Sequence, residues 1–185
     1  MIESLLARIA TALEEAALSY MIIGGQAVLL YGEPRLTKDI DITLGVGLER
    51  LPDVLKAAQT ARLHPLVDPQ VFTKETMVLP CGDQESGIRV DLILSFSPYE
   101  KMAISRARIV KVGKAELRYA SVEDLVIHKV IAGRPRDLED VRGVLLRNPV
   151  VDHEYVRQWL GEFAGTTGEQ YLQRLELILK EVGRL

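Results

Sequence analysis

Cysteine is nearly absent from this sequence: Cys81 stands alone among 185 residues. A lone thiol excludes an internal disulfide and any zinc site built from several cysteines, and it agrees with a reducing compartment. Set in Pro80-Cys81-Gly82, it reads as a small residue in a loop. Long apolar runs are missing too. Stretches such as Tyr20 to Ile23 and Ala27 to Tyr31 fall far short of the roughly 20 residues that cross a bilayer, so no membrane span is expected. The N-terminus, Met1-Ile2-Glu3-Ser4-Leu5, carries acid where a signal peptide carries base, which predicts a cytoplasmic protein. Excess base is likewise lacking. A net charge of −3 argues against broad binding of nucleic acid, which depends on many Lys and Arg neutralising phosphates. Arg134, Arg136, Arg142 and Arg147 do gather, but with Asp137, Glu139 and Asp140 among them they read as a solvated helix face with internal pairs.

Several chemical signatures are also absent. The chain has no Gly-x-Ser-x-Gly elbow, no P-loop and no Gly-x-Gly-x-x-Gly turn, which disfavours the hydrolase, P-loop NTPase and dinucleotide readings that rest on them. His64, His128 and His153 lack the mutual spacing of a zinc site, and His153-Glu154 lacks the second histidine of a metalloprotease helix.

What is present is the composition of an ordinary globular protein, 48% hydrophobic and 26% charged, with enough apolar material for a core. Ile2, Leu5, Leu6, Ile9, Leu13 and Ala16 recur at steps of three and four, predicting a helix over 2–18. A short strand, Tyr20 to Ile23, breaks at Gly24-Gly25, and a helix from about Gln26 ends at Gly32, with Pro34 preventing its continuation. From Arg35 to Leu44 polar and apolar residues alternate, predicting a strand that carries Arg35, Thr37, Asp39, Asp41 and Thr43 on one face. A helix is expected over 48–61. Strands are expected over 63–67, 71–79 and 88–94, the first two separated by Asp68-Pro69. A short helix over 98–104 and extended segments over 109–112 and 116–119 follow. Beyond Ser121 the pattern is helical, over 122–131, 135–146, 152–163 and 169–182. The fold class is therefore α/β in the α+β sense, a mixed-sheet core over residues 1–119 with a C-terminal helical region, 120–185, packed on it.

Asp39 and Asp41 are two apart on a strand, so their carboxylates leave the same face with Cα atoms roughly 6.5 to 7 Å apart. Such a pair suits a hard cation such as Mg²⁺, whose octahedron is completed by substrate phosphates and water. Asp-x-Asp alone is a common accident. Context strengthens it: Ile40 and Ile42 make the strand half-buried, and Asp91 stands by itself between Val90 and Leu92 on a later strand. If the two strands are neighbours, three carboxylates converge, an arrangement that repels itself without cations. Gly24-Gly25, where a strand turns into a helix, either makes a tight turn or offers backbone N–H groups to a phosphate.

Ile22-Ile23-Gly24-Gly25, the helix after it, Arg35-Leu36-Thr37-Lys38-Asp39-Ile40-Asp41-Ile42 and later Val90-Asp91-Leu92 together resemble the polymerase-β-like nucleotidyltransferase superfamily, most closely its minimal bacterial and AbiEii-like members. The resemblance spans about residues 20–95. It implies that Gly24 and Gly25 grip a nucleoside triphosphate, that Asp39, Asp41 and Asp91 are catalytic and bind Mg²⁺ or Mn²⁺, and that Asp91 assists the attacking hydroxyl. Gly25 departs from the pattern, standing where many relatives carry serine. Arg35 and Thr37 either touch phosphate or compensate the carboxylates. Lys129 falls inside the apolar stripe of its helix and must snorkel or meet a negative partner; the resemblance implies that Lys129 and Asp137 face the nucleotide. The function implied is transfer of an NMP from an NTP to a hydroxyl or phosphate acceptor on tRNA, protein or a small molecule, within a toxin–antitoxin system that supplies an antitoxin partner. The alternative is a non-catalytic nucleotide-binding or antitoxin-like regulator with the same fold.

Overall fold

The computed structural model describes residues 2–95, 97–113 and 115–184. The chain divides into two compact units, Met1–Gln26 with Thr37–Ala120, and Ala27–Leu36 with Ser121–Leu185.

The first unit is a mixed sheet with helices. Along the chain come α1 (Ile2–Glu15), β1 (Tyr20–Ile23), the start of α2 (Gly24–Tyr31), β2 (Asp39–Leu44), a 3₁₀ turn at Leu48–Arg50, α3 (Leu51–Thr60), β3 (Leu63–Pro65), α4 (Pro69–Thr76), β4 (Val78–Asp83), β5 (Arg89–Leu94), α5 (Pro98–Ser105), β6 (Arg108–Val112) and β7 (Ala115–Tyr119). The seven strands are ordered β3-β4-β5-β2-β1-β7-β6. Pairs β2·β5 and β1·β7 are parallel, and the rest are antiparallel. One face of the central strands is apolar and fully buried, through Ile40, Ile42, Leu44, Val90, Leu92 and Leu94, each worth about 1.5–3 kcal/mol relative to exposure. Helix α1 buries Leu5, Leu6, Ile9 and Leu13 and packs against β7 and α3. Arg8 on α1 donates to the buried Asp83 at the end of β4, which also accepts from the amide and hydroxyl of Ser86.

The second unit holds the rest of α2, with α6 (Val122–Ala132), α7 (Pro135–Arg147), α8 (His153–Thr167) and α9 (Tyr171–Glu181). Ser121 caps α6 by accepting from the Asp124 amide, and Gly133 ends it in the left-handed region at φ +63°, where glycine alone is unstrained. Pro135 opens α7 at a position where its missing N–H costs nothing. Leu125, Val126, Val130, Val141, Val144, Leu160, Leu175 and Ile178 form the helical core. The segment 27–36 is fastened to α7: Asn148 donates to the Tyr31 carbonyl at 2.8 Å, and a Cβ on Gly32 would stand 3.1 Å from Val144. Among the described residues no helix is long and apolar enough to cross a membrane.

Three local expectations are corrected. Residues 71–79, expected as a strand, are divided between α4 and β4. The Asp68 side chain accepts from the amides of Gln70 and Val71, and Pro69 sits in the first turn, so the pair read as a separator is an N-cap followed by a helix-opening proline. The strand expected from Arg35 begins only at Asp39. Its neighbours explain the shortening, because β5 starts at Arg89 opposite Asp39 and β1 ends at Ile23 opposite Asp41; earlier residues have no ladder to join. Cys81 lies in β4, paired with Val90, and not in a loop.

Candidate active site

Strand β2 runs between β1 and β5, and the register decides what its side chains meet. Asp41 is directly opposite Asp91, and Asp39 is opposite Arg89. Paired residues of adjacent strands share a face, with backbones about 4.8 Å apart. The three aspartates therefore share one face of the sheet, the one away from Ile40, Ile42, Val90 and Leu92. Asp39 is exposed and Asp41 half-buried, while the Asp91 side chain is 17% exposed. Like charges placed opposite each other across strands repel. Arg89 stands among them, and its Nε donates to Asp91 Oδ1 at 2.8 Å. That hydrogen bond and the charge of Asp91, with lesser contributions from Asp39 and Asp41, hold the guanidinium pKa above its ordinary value.

Gly24 fixes the other boundary of this face. Its φ is +61°, and a Cβ built on it would stand 1.9 Å from Asp41 Oδ2. Both the left-handed backbone and the contact demand glycine here, so the Asp41 carboxylate lies directly against the first residue of α2. The helix starts there, and its leading amides, among them that of Gly25, carry the positive end of the helix dipole. Gln26, buried in the same first turn, donates from Nε2 to Thr37 Oγ1 at 2.8 Å. Thr37, though outside the strand, is thus tied to the start of α2.

Asp39, Asp41 and Asp91 are three hard oxygen donors on one face, the donor type that Mg²⁺ and Mn²⁺ take. Among the described residues, no three His, Cys, Asp or Glu side chains are gathered closely enough to hold a metal ion as they stand. The donor chemistry fits such an ion; the side-chain arrangement is that of an ion-paired face. Behind it, Cys81 is buried, and burial first, then the charge of Asp91, pushes its thiol up to about 12.

The remaining expected site residues belong to a separate cluster inside the second unit. Lys129 of α6 donates to Asp137 Oδ1 at 2.7 Å and to Asp140 Oδ2 at 2.9 Å. Arg35 grips Asp140 with two hydrogen bonds of 3.0 Å, and Arg134 donates to Asp137 at 2.6 Å. Lys129, Asp137 and Asp140 are buried. Burial works to raise the Asp137 pKa, but hydrogen bonds and charges from Arg134 and Lys129 bring it below the ordinary value. The negative partner that a lysine in an apolar stripe requires is thus a pair of aspartates. Sequence reasoning missed Arg89, Gln26 and Asp140 as members of these clusters. The Arg89-Val90-Asp91 alternation already puts Arg89 on the carboxylate face, and Asp140 lies one helical turn beyond Asp137; nothing local signals that Gln26 is buried.

The family model described as "Nucleotidyl transferase AbiEii toxin, Type IV TA system" matches residues 4–181. The fold is similar to that of the antibiotic-resistance factor ANT(2'')-Ia in its solution structure, with 16% identity and a TM-score of 0.59 over 90% of this chain and 93% of that one. It is similar to the crystal structure of ANT(2'')-Ia in complex with adenylyl-2''-tobramycin, with 17% identity and a TM-score of 0.58 over 89% of this chain and 98% of that one. An antigenic nucleotidyltransferase-like protein from Paracoccidioides brasiliensis gives 14% identity and a TM-score of 0.58 over 97% of this chain and 92% of that one. No curated protein matches the sequence.

Proposed function

This chain belongs to the AbiEii family of nucleotidyltransferase toxins, and from that premise we propose that it moves a nucleoside monophosphate from an NTP to a hydroxyl or phosphate acceptor, using Asp39, Asp41 and Asp91 to hold Mg²⁺ or Mn²⁺. The observation that carries the reading is the register of β2 on β5, which sets Asp41 beside Asp91 and leaves Asp39 on the same face. A divalent cation bound there supplies two things, a lowered pKa for the attacking hydroxyl and neutralisation of the leaving pyrophosphate.

The chain's own residues supply the rest. Backbone N–H groups of the Gly24-Gly25 turn bind the triphosphate at the start of α2, without help from the hydroxyl that a serine would add at position 25. Thr37 accepts from Gln26 and keeps its own proton to donate to a phosphate oxygen. Asp91 accepts the proton of the attacking hydroxyl. Arg35 and Lys129 meet through Asp140, and Lys129 also donates directly to Asp137; we assign all three to holding the helical unit together, since nucleotide contact by Lys129 would require its buried ion pairs to open.

The acceptor classes are tRNA, protein and small molecules. The family's toxin–antitoxin description favours a cellular macromolecule and implies an antitoxin partner, while the adenylyl-2''-tobramycin held by ANT(2'')-Ia keeps small molecules in the test. Incubating the protein with each labelled NTP, Mg²⁺ or Mn²⁺ and total cell extract, then sorting the label into RNA, protein and small molecules, identifies the acceptor. Asp41→Ala is expected to lose at least about 100-fold of the transfer, the scale of one preorganised electrostatic contact. Undiminished labelling by that variant, or none by the wild type with any NTP, would sink the reading.

A further inference from the structure

The carboxylate face brings a cation of its own. Arg89 lies two residues before Asp91 and opposite Asp39. Its Nε is 2.8 Å from Asp91 Oδ1, and its side chain remains 54% exposed. An ion pair so open to water adds little to stability, so folding alone gives small reason for an arginine here. Three carboxylates on one face give a larger reason.

We propose that Arg89 is the resident counter-ion of this face, shielding Asp39, Asp41 and Asp91 while no divalent cation is bound and having to release Asp91 before one can bind. The inference rests on the carboxylate reading above and deepens it by adding what sets the metal affinity. Arginine cannot lose its proton to make way, and its positive charge within a few ångströms opposes an arriving dication. Departure by rotation is the route left, and an exposed, flexible stem permits it. Arg89 is thus a positioning residue. It keeps mutually repelling acids ordered beforehand, and in return it lowers their affinity for the ion.

The test is a Mn²⁺ titration, followed by calorimetry, of wild type, Arg89→Gln, Arg89→Lys and Asp41→Asn, each checked for folding by circular dichroism. Arg89→Gln is expected to bind Mn²⁺ roughly tenfold more tightly than wild type, because a repelling unit charge has gone; Arg89→Lys, which keeps the charge, stays near wild type. A merely structural role for Arg89 would not tighten metal binding. Equal or weaker binding by Arg89→Gln overturns the proposal. Should that variant not fold, the wild-type protein gives the answer: Mg²⁺ must shift the Arg89 Nε–H resonance as its hydrogen bond breaks, and an unmoved resonance overturns the proposal equally. Asp41→Asn separates the two levels. If it loses Mn²⁺ binding, the carboxylate reading stands and a failed Arg89→Gln result counts against Arg89 alone. If it binds like wild type, both fall.

Discussion

Two charged clusters of similar size occur in this chain, one in each unit, and they are built to opposite ends. On the sheet, three aspartates share a half-open face with one arginine that is more than half exposed. In the helical unit, two buried aspartates are met by Lys129, Arg35 and Arg134, so that each acid carries at least two cationic donors. The sheet cluster stands open to water, within reach of a ligand from solution. The helical cluster is matched internally and sealed. Residue type alone does not separate a binding site from a structural tie; the balance of charge and the access of solvent do.

The sharpest break between the two should come from removing the buried cation. Lys129→Met leaves Asp137 and Asp140 short of a partner in a dry environment, and we expect a loss of about 3–5 kcal/mol by denaturant unfolding; retained stability with lost nucleotide binding would instead reassign Lys129 to the substrate. Gly24→Ala comes next. Its side chain would stand against Asp41 Oδ2 on a left-handed backbone, so roughly 1–3 kcal/mol should be lost, together with weakened Mn²⁺ binding as the carboxylate is pushed aside. A gentler effect follows from acid. The Asp137 pKa lies below its ordinary value in the folded chain, so its contribution is complete above the unfolded value of about 3.9 and fades as the pH falls through the folded one. The stability gap between wild type and Asp137→Asn should therefore narrow below about pH 4, and a gap that persists there would mean the carboxylate charge is not what matters. Smallest of all, Asp39→Asn on the exposed sheet face should shift stability by less than about 0.5 kcal/mol while transfer activity collapses. A large destabilisation would erase the contrast.

Legibility in the sequence followed the range of the interactions. Alternation along β2 and β5 could be read because a period of two needs no partner to be seen, and it carried Asp39, Asp41 and Asp91 onto one face once the strands were neighbours. The strand's true start could not be read, since it depends on where β1 and β5 end. Arg35 illustrates the limit. Its local pattern put it beside the aspartates, yet its guanidinium is taken by Asp140, far along the chain, and nothing near Arg35 announces that acid. Helix α4 failed for a different reason: Val71, Phe72 and Thr73 favour strands, but the Asp68 cap and Pro69 outweighed them. The helical region was the most readable, because its stripes, caps and breaks at Gly133, Pro135 and Gly168 are all local.

The strand order has a kinetic corollary. With β3 and β6 at the margins and β2 fourth of seven, thermal fraying begins at the margins and reaches the middle last. Amide protons on β2 should accordingly be among the slowest to exchange with deuterated solvent in the first unit. The acids that repel one another are thus carried by the part of the sheet least able to let them drift apart.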